Sequence, residues 1–166
     1  LARVGFSVTG LVDVAGVDSG TVVLSGRTVF QPDRHHTIVA GGWVGGQKNP
    51  TPGNEFDLGL GAGLRAFPLH AFTGDRAWVA GAEYRWTLSE EAAGLFGVGL
   101  AAFVDAGGAW FDGDDPRQGV DVGFGLRVGP SRLAAVSPFR IDVAYRFEAD
   151  GFEPGWSLVL GRGFTF

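Results

Sequence analysis

Large apolar residues fall on alternate positions along most of this chain, in eight stretches: 3–14, 20–30, 37–46, 76–88, 94–110, 119–129, 138–147 and 155–166. A period of two is the signature of a β-strand with two unlike faces. In the fourth stretch Trp78, Ala80, Ala82, Tyr84 and Trp86 alternate with Val79, Gly81, Glu83 and Arg85. In the fifth, Phe96, Val98, Leu100, Ala102, Val104 and Trp110 alternate with Gly97, Gly99, Ala101, Phe103 and Asp105. The sixth sets Val122, Phe124 and Leu126 against Asp121, Gly123, Gly125 and Arg127, and the seventh sets Ile141, Val143 and Tyr145 against Arg140, Asp142, Ala144 and Arg146. The last puts Trp156, Leu158, Leu160, Phe164 and Phe166 on one face. Almost every strand charge lies opposite the large apolar residues. A charge facing lipid costs roughly 2–4 kcal/mol at the bilayer midplane, which enforces such sorting. Arg162 is the exception, near a strand end where its stem reaches the headgroups. Aromatics gather at strand ends, where interfacial girdles sit. The pattern predicts an all-β fold, a transmembrane antiparallel up-and-down β-barrel of eight strands forming one domain over 1–166.

Composition is consistent with this. Mean hydropathy is only +0.15, and no run of about 18 apolar residues exists to make a membrane helix. Many of the 29 glycines fall on the small-residue face, where strands coil and backbones approach closely. The absence of cysteine suits export to an oxidising compartment. A net charge of -5 argues against a nucleic-acid partner. Leu1 follows no basic-then-apolar leader, as expected of a mature chain or a fragment. The competing reading is a soluble β-sandwich or lipocalin-like barrel, but those folds seldom set so many aromatics on one face of every strand.

An even strand number puts both termini on one side. The links at 31–36, 89–93 and 130–137 then face the periplasm. Those at 15–19, 47–75, 111–118 and 148–154 face outward and carry most acidic residues, among them Asp112, Asp114, Asp115, Glu148, Asp150 and Glu153. The run Asp112-Gly-Asp-Asp115 lacks the spacing of a calcium loop and reads as a solvated turn. His35-His36 has no third ligand nearby and reads as a surface pair. The histidines His35, His36 and His70 have no serine at a convincing strand position, so an outer-membrane hydrolase or acyltransferase is disfavoured and no enzyme activity is expected. Neither a metal nor a cofactor is expected.

The segment 47–75 is far longer than a hairpin needs, and loops of such length are usually functional or disordered. This one carries Phe56, Leu58, Leu60, Leu64, Phe67, Leu69 and Phe72, which is not a disordered composition. At its centre stands Gly63-Leu-Arg-Ala-Phe67, followed by Glu83-Tyr-Arg-Trp86 and then Phe103-Val-Asp-Ala-Gly107. In these motifs the chain resembles the C-terminal barrel region of the BamA/TamA outer-membrane assembly family, also called the bacterial surface antigen family. The resemblance is clearest from about residue 56 to 166. In that family the Arg of a Val-Arg-Gly-Phe/Tyr loop folds into the lumen and docks on the acidic residue of a Phe-x-Asp-x-Gly strand. The resemblance therefore implies that Arg65 and Phe67 dock on Phe103, Asp105 and Gly107, with Glu83 a second acidic partner. Ala66 stands where the family has glycine. A guanidinium meeting a carboxylate in a restricted lumen forms a charge-assisted, often bidentate contact able to pin a loop. The chain end is similar to the sorting signal of outer-membrane barrels, with Gly161, Phe164 and Phe166 in place and Val159 where a polar residue is usual.

Family members have sixteen strands and this chain supplies eight. Eight strands close around an interior just wide enough for side chains, whereas a lumenal loop needs more room. Two arrangements stay open: a self-closed small barrel, which the 166-residue length favours, or the C-terminal half of a larger barrel. An open sheet edge is excluded in lipid. The resemblance implies a role in outer-membrane protein assembly or translocation through a weakly closed seam and local bilayer thinning. The partners it implies are outer-membrane lipid, the assembly machinery, client barrel proteins and another barrel copy. The alternative is a small structural barrel that anchors a partner in the outer membrane.

Overall fold

The alternation is realised as one continuous antiparallel ladder. The computed structural model describes residues 3–13, 19–60, 62–92, 94–130, 139–149 and 151–162. Its strands are β1 (Arg3–Asp13), β2 (Gly20–Gln31), β3 (His36–Lys48), β4 (Phe56–Leu58), β5 (Phe72–Gly74), β6 (Arg76–Ala92), β7 (Phe96–Trp110), β8 (Gln118–Pro130), β9 (Phe139–Arg146) and β10 (Gly155–Arg162). Eight of them form a single sheet in the order β1-β2-β3-β6-β7-β8-β9-β10, and β4 with β5 makes a separate hairpin. Consecutive long strands pair with their chain neighbours throughout, the up-and-down topology that the alternation predicts. The described residues contain no α-helix.

The sheet is inside-out relative to a water-soluble protein. Val22, Leu24, Val44, Phe124, Trp156, Leu158 and Leu160 are 53–69% exposed, whereas Glu83, Asp105, Asp121, Arg127, Arg140 and Asp142 are at most 6% exposed. So extended an apolar surface is a liability in water and a requirement in lipid. The two faces separate by parity, as the alternation demands.

Cross-strand register sets the inner face in rows. One row runs Glu83, Phe103, Gly123, Ala144, Ser157 across β6 to β10. The row on one side runs Gly81, Asp105, Asp121, Arg146, and the row on the other runs Arg85, Ala101, Gly125, Asp142, Val159. Glycine, alanine and carboxylates thus share the middle of the wall and leave a shallow polar basin there. The segment between β3 and β6 fills it. Leu58, Leu64, Phe67, Ala71 and Phe72 from that segment pack with Ala77, Val79 and Ala109 of the wall, and Trp43, Phe56 and Phe152 close over them. Each such Leu or Phe contributes roughly 1.5–3 kcal/mol of burial.

Three details differ from the sequence expectation. The link placed at 89–93 is largely strand: β6 runs on to Ala92, with register shifts between Thr87 and Ser89 and between Ser89 and Ala92. Bulges of this kind absorb the polar Ser89-Glu-Glu91 run that breaks the alternation. The long loop contains a hairpin, with Phe56, Asp57 and Leu58 opposite Gly74, Thr73 and Phe72. Strands of three residues are too short for a period-two signal. Third, the ladders do not show the self-closed barrel that the chain length favoured: among the described residues no ladder joins β1 to β10. The described sheet is a partial barrel.

Candidate functional site

The site is built where the loop tip, Leu64 to Phe67, meets the basin. Gly63 starts it in the left-handed region, at φ 91°, and its bare Cα lies against Val79, where a Cβ would sit 2.7 Å from a valine methyl. Gly107 pairs with Val79 across the ladder, and a Cβ there would stand 2.8 Å from the Trp78 carbonyl. Gly107 therefore makes room for the valine under the loop. Ala66, where the family has glycine, is not among the positive-φ residues, so its side chain costs no backbone strain. Its methyl is buried with Phe103 and Ala144.

Arg65 is 1% exposed. Its Nε lies 2.9 Å from Asp105 Oδ2, and its Nη1 lies 2.9 Å from Glu83 Oε2 and 3.3 Å from Asp142 Oδ2. Its guanidinium carbon sits 3.7 Å from the centre of the Phe103 ring, a cation–π contact worth about 2 kcal/mol when desolvated. The Asp105 contact is close but off the N–H direction: neither the Arg65 Nε nor the Asp105 oxygens meet hydrogen-bond geometry. It is an ion pair without a directed hydrogen bond. The expected bidentate fork is replaced by one guanidinium spread over three carboxylates on β6, β7 and β9.

Those carboxylates also hold other cations. Arg127 reaches Glu83 at 2.8 Å and 3.2 Å and Asp142 at 2.5 Å. Arg85 reaches Glu83 at 2.6 Å, and Arg140 lies 3.8 Å from Asp142. Three buried guanidiniums (Arg65, Arg127, Arg140) thus stand among four buried carboxylates (Glu83, Asp105, Asp121, Asp142), with the half-buried Arg85 paired to Glu83 at their margin. The close mixing of signs matters because an unpaired buried charge is far costlier than a paired one.

The loop backbone is held as firmly as its side chain. Ala66 N–H donates to Asp121 Oδ2 at 3.0 Å. The Ala66 carbonyl accepts from Arg146 Nη1 at 3.2 Å and from Ser157 Oγ at 3.0 Å. With Glu83, Asp105 and Asp142, these contacts tie one four-residue tip to five consecutive strands, β6 to β10. A tip reaching all five requires the sheet to curve around it.

Phe67 is 1% exposed, 5.2 Å from the Phe72 ring and 5.6 Å from that of Phe152. It seats directly on Gly119, where any side chain would collide with its ring. Phe103 lies under Arg65 and against Gly123 in the same way. Gly161 lies on the inner face beside Arg140, while Phe164 and Phe166 lie outside the described residues. His36 stacks with Tyr84 and Trp86, 5.9 and 6.5 Å away, and its Nδ1 is 2.6 Å from the Tyr84 hydroxyl. In the same turn the backbone N–H groups of His35 and His36 donate to Asp33 and hold its carboxyl below the usual range. His70 pairs with Asp57 on the outer hairpin. The Asp112 N–H donates to Asp75 Oδ1 at 2.9 Å.

Asp121, Asp142, Arg127, Arg140, Arg146 and Ser157 are parts of the site that the alternation sets only on the face opposite the large apolar residues. Their inward parity was the available signal. Which loop atom each would meet depends on register between distant strands, which sequence does not display.

Residues 42–166 match the Omp85 superfamily domain. No curated protein matches the chain.

Proposed function

This chain belongs to the Omp85 superfamily, a bacterial outer-membrane family that works in protein assembly and translocation, and from that premise we infer that it is a barrel unit of the BamA/TamA type in the outer membrane. Its role is to help insert or export other outer-membrane proteins. The observation that carries this reading is Arg65 buried among Glu83, Asp105 and Asp142, with the loop tip tied to five strands. Such a strut rigidifies one arc of the wall. It leaves compliance to the β1 side of the seam, where a client strand would be received. The chemistry is physical: no bond is made or broken, and the work is done by edge hydrogen bonding and by thinning of the surrounding bilayer.

The same geometry favours a wall completed by further strands, from an adjoining segment or a second copy. The inner face already holds a backbone loop with Arg65, Phe67 and Phe72, which exceeds what eight closed strands enclose. Lipid does not tolerate the remaining edges unpaired.

The test is client insertion. The protein is reconstituted in lipid vesicles, a urea-denatured outer-membrane barrel is added, and its folding is followed by heat-modifiable migration. Faster folding than in empty vesicles, lost on Arg65→Ala, supports the reading. No acceleration by a correctly folded wild-type protein overturns it and leaves an anchoring barrel without insertase activity.

A further inference from the structure

We propose that Ser157 and Arg146 form a latch that joins the last strand of the sheet to the docked loop, so that loop and edge strand are released together. This goes beyond the assembly role and holds whatever the clients are.

β10 closes the order of the sheet, and its ladder runs to β9 alone among the described residues. An interior strand is fixed by ladders on both sides. Besides its β9 ladder, β10 has a link through its inner face, where Ser157 Oγ donates to the Ala66 carbonyl at 3.0 Å. That oxygen has two lone pairs, and Arg146 Nη1 takes the second at 3.2 Å. Arg146 is in turn oriented by its Nε donating to the Glu153 carbonyl at 2.8 Å, in the turn leading into β10. The acceptor thus sits on the loop, and its two donors sit on β9 and β10, next to the connection between them.

Position selects these residues. Ser157 occupies the inner row of Ala144, Gly123 and Phe103, so its short side chain faces the Ala66 peptide across a floor of small residues. A serine in a strand often bonds to neighbouring backbone; here its hydroxyl reaches a residue 91 positions away. The Ala66 peptide is held from both sides, since its N–H donates to Asp121. Displacing the tip breaks both donors' bonds at once. Linkage makes the effect reciprocal: what loosens the loop must loosen β10, and what frees β10 must loosen the loop.

Hydrogen exchange on the protein in lipid vesicles tests this, read at the β10 amides and, separately, as protease cleavage within 49–75. Ser157→Ala should make the β10 amides exchange roughly fivefold faster, the factor that one lost hydrogen bond of ordinary net strength carries, and should increase loop cleavage. Ser157→Thr, which keeps the hydroxyl, should restore wild-type values in both. A second variant with residues 60–70 replaced by a Gly-Ser linker should speed β10 exchange at least as much, and adding Ser157→Ala to it should change nothing further. Unchanged β10 exchange in the linker variant, or an undiminished effect of Ser157→Ala within it, would overturn the latch.

Discussion

Replacing Arg65 with alanine removes a fully buried cation from among three carboxylates, yet the cost should not be that of three broken pairs. Glu83 keeps Arg127 and Arg85, and Asp142 keeps Arg127 at 2.5 Å. Asp105 loses the guanidinium that lay 2.9 Å from it, at 0% exposure. The penalty is therefore that of about one stranded buried charge, roughly 3–5 kcal/mol. Asp105→Ala should cost less, because Arg65 retains Glu83 and Asp142. The double variant should then be no worse than Arg65→Ala alone, since removing Asp105 removes the charge that was stranded. The assay is a double-mutant cycle by urea unfolding in lipid vesicles, with cleavage in 49–75 as the local readout. The coupling should be at the upper end of the 0.5–3 kcal/mol seen for residues in one network. Simple additivity, or a silent Arg65→Ala, would refute the reasoning and show that the loop lies outside the wall.

Other expectations follow from the packing and the faces. Gly119→Val should drive Phe67 off its seat, costing about 1–3 kcal/mol as overpacking does and exposing the loop to protease; a wild-type cleavage pattern would contradict the contact in which Gly119 meets the Phe67 ring. Ala102→Arg, at the middle of β7 on the exposed face, should cost roughly 2–4 kcal/mol in lipid, while Asp114→Arg in the exposed turn between β7 and β8 should be nearly neutral; equal effects would argue against a lipid boundary. Deleting Phe166 should lower insertion in cells more than refolding into pure lipid, and equal losses would reduce its role to apolar area.

The walls of this fold were legible in the sequence because parity writes both faces into each strand. Trp78, Tyr84 and Trp86 against Val79, Glu83 and Arg85 suffice to orient β6. The pairing of Arg65 with Asp105 was legible only through the family motif, since nothing in residues 63–67 alone points at a carboxylate forty positions on. Asp121, Asp142 and Ser157 stayed anonymous for the same reason: their partners are set by cross-strand register and by a loop folding back over it. The β4–β5 hairpin was hidden by its brevity, and the extension of β6 to Ala92 by bulges that break the period. The mixing of opposite charges in the buried cluster emerges only when the loop and four strands are brought together in one place.

The central claim is that one face of this sheet meets lipid while the other is held against its own docked loop. Single cysteines placed in turn at positions 98 to 102 of β7, spin-labelled and examined in lipid vesicles, test it most directly, because the chain has no native cysteine. Collision with oxygen, which partitions into lipid, should be high at 98, 100 and 102 and low at 99 and 101, with a water-soluble nickel reagent reaching none of them readily. Uniform oxygen accessibility along the strand, or ready access of the nickel reagent to the even positions, would contradict the account.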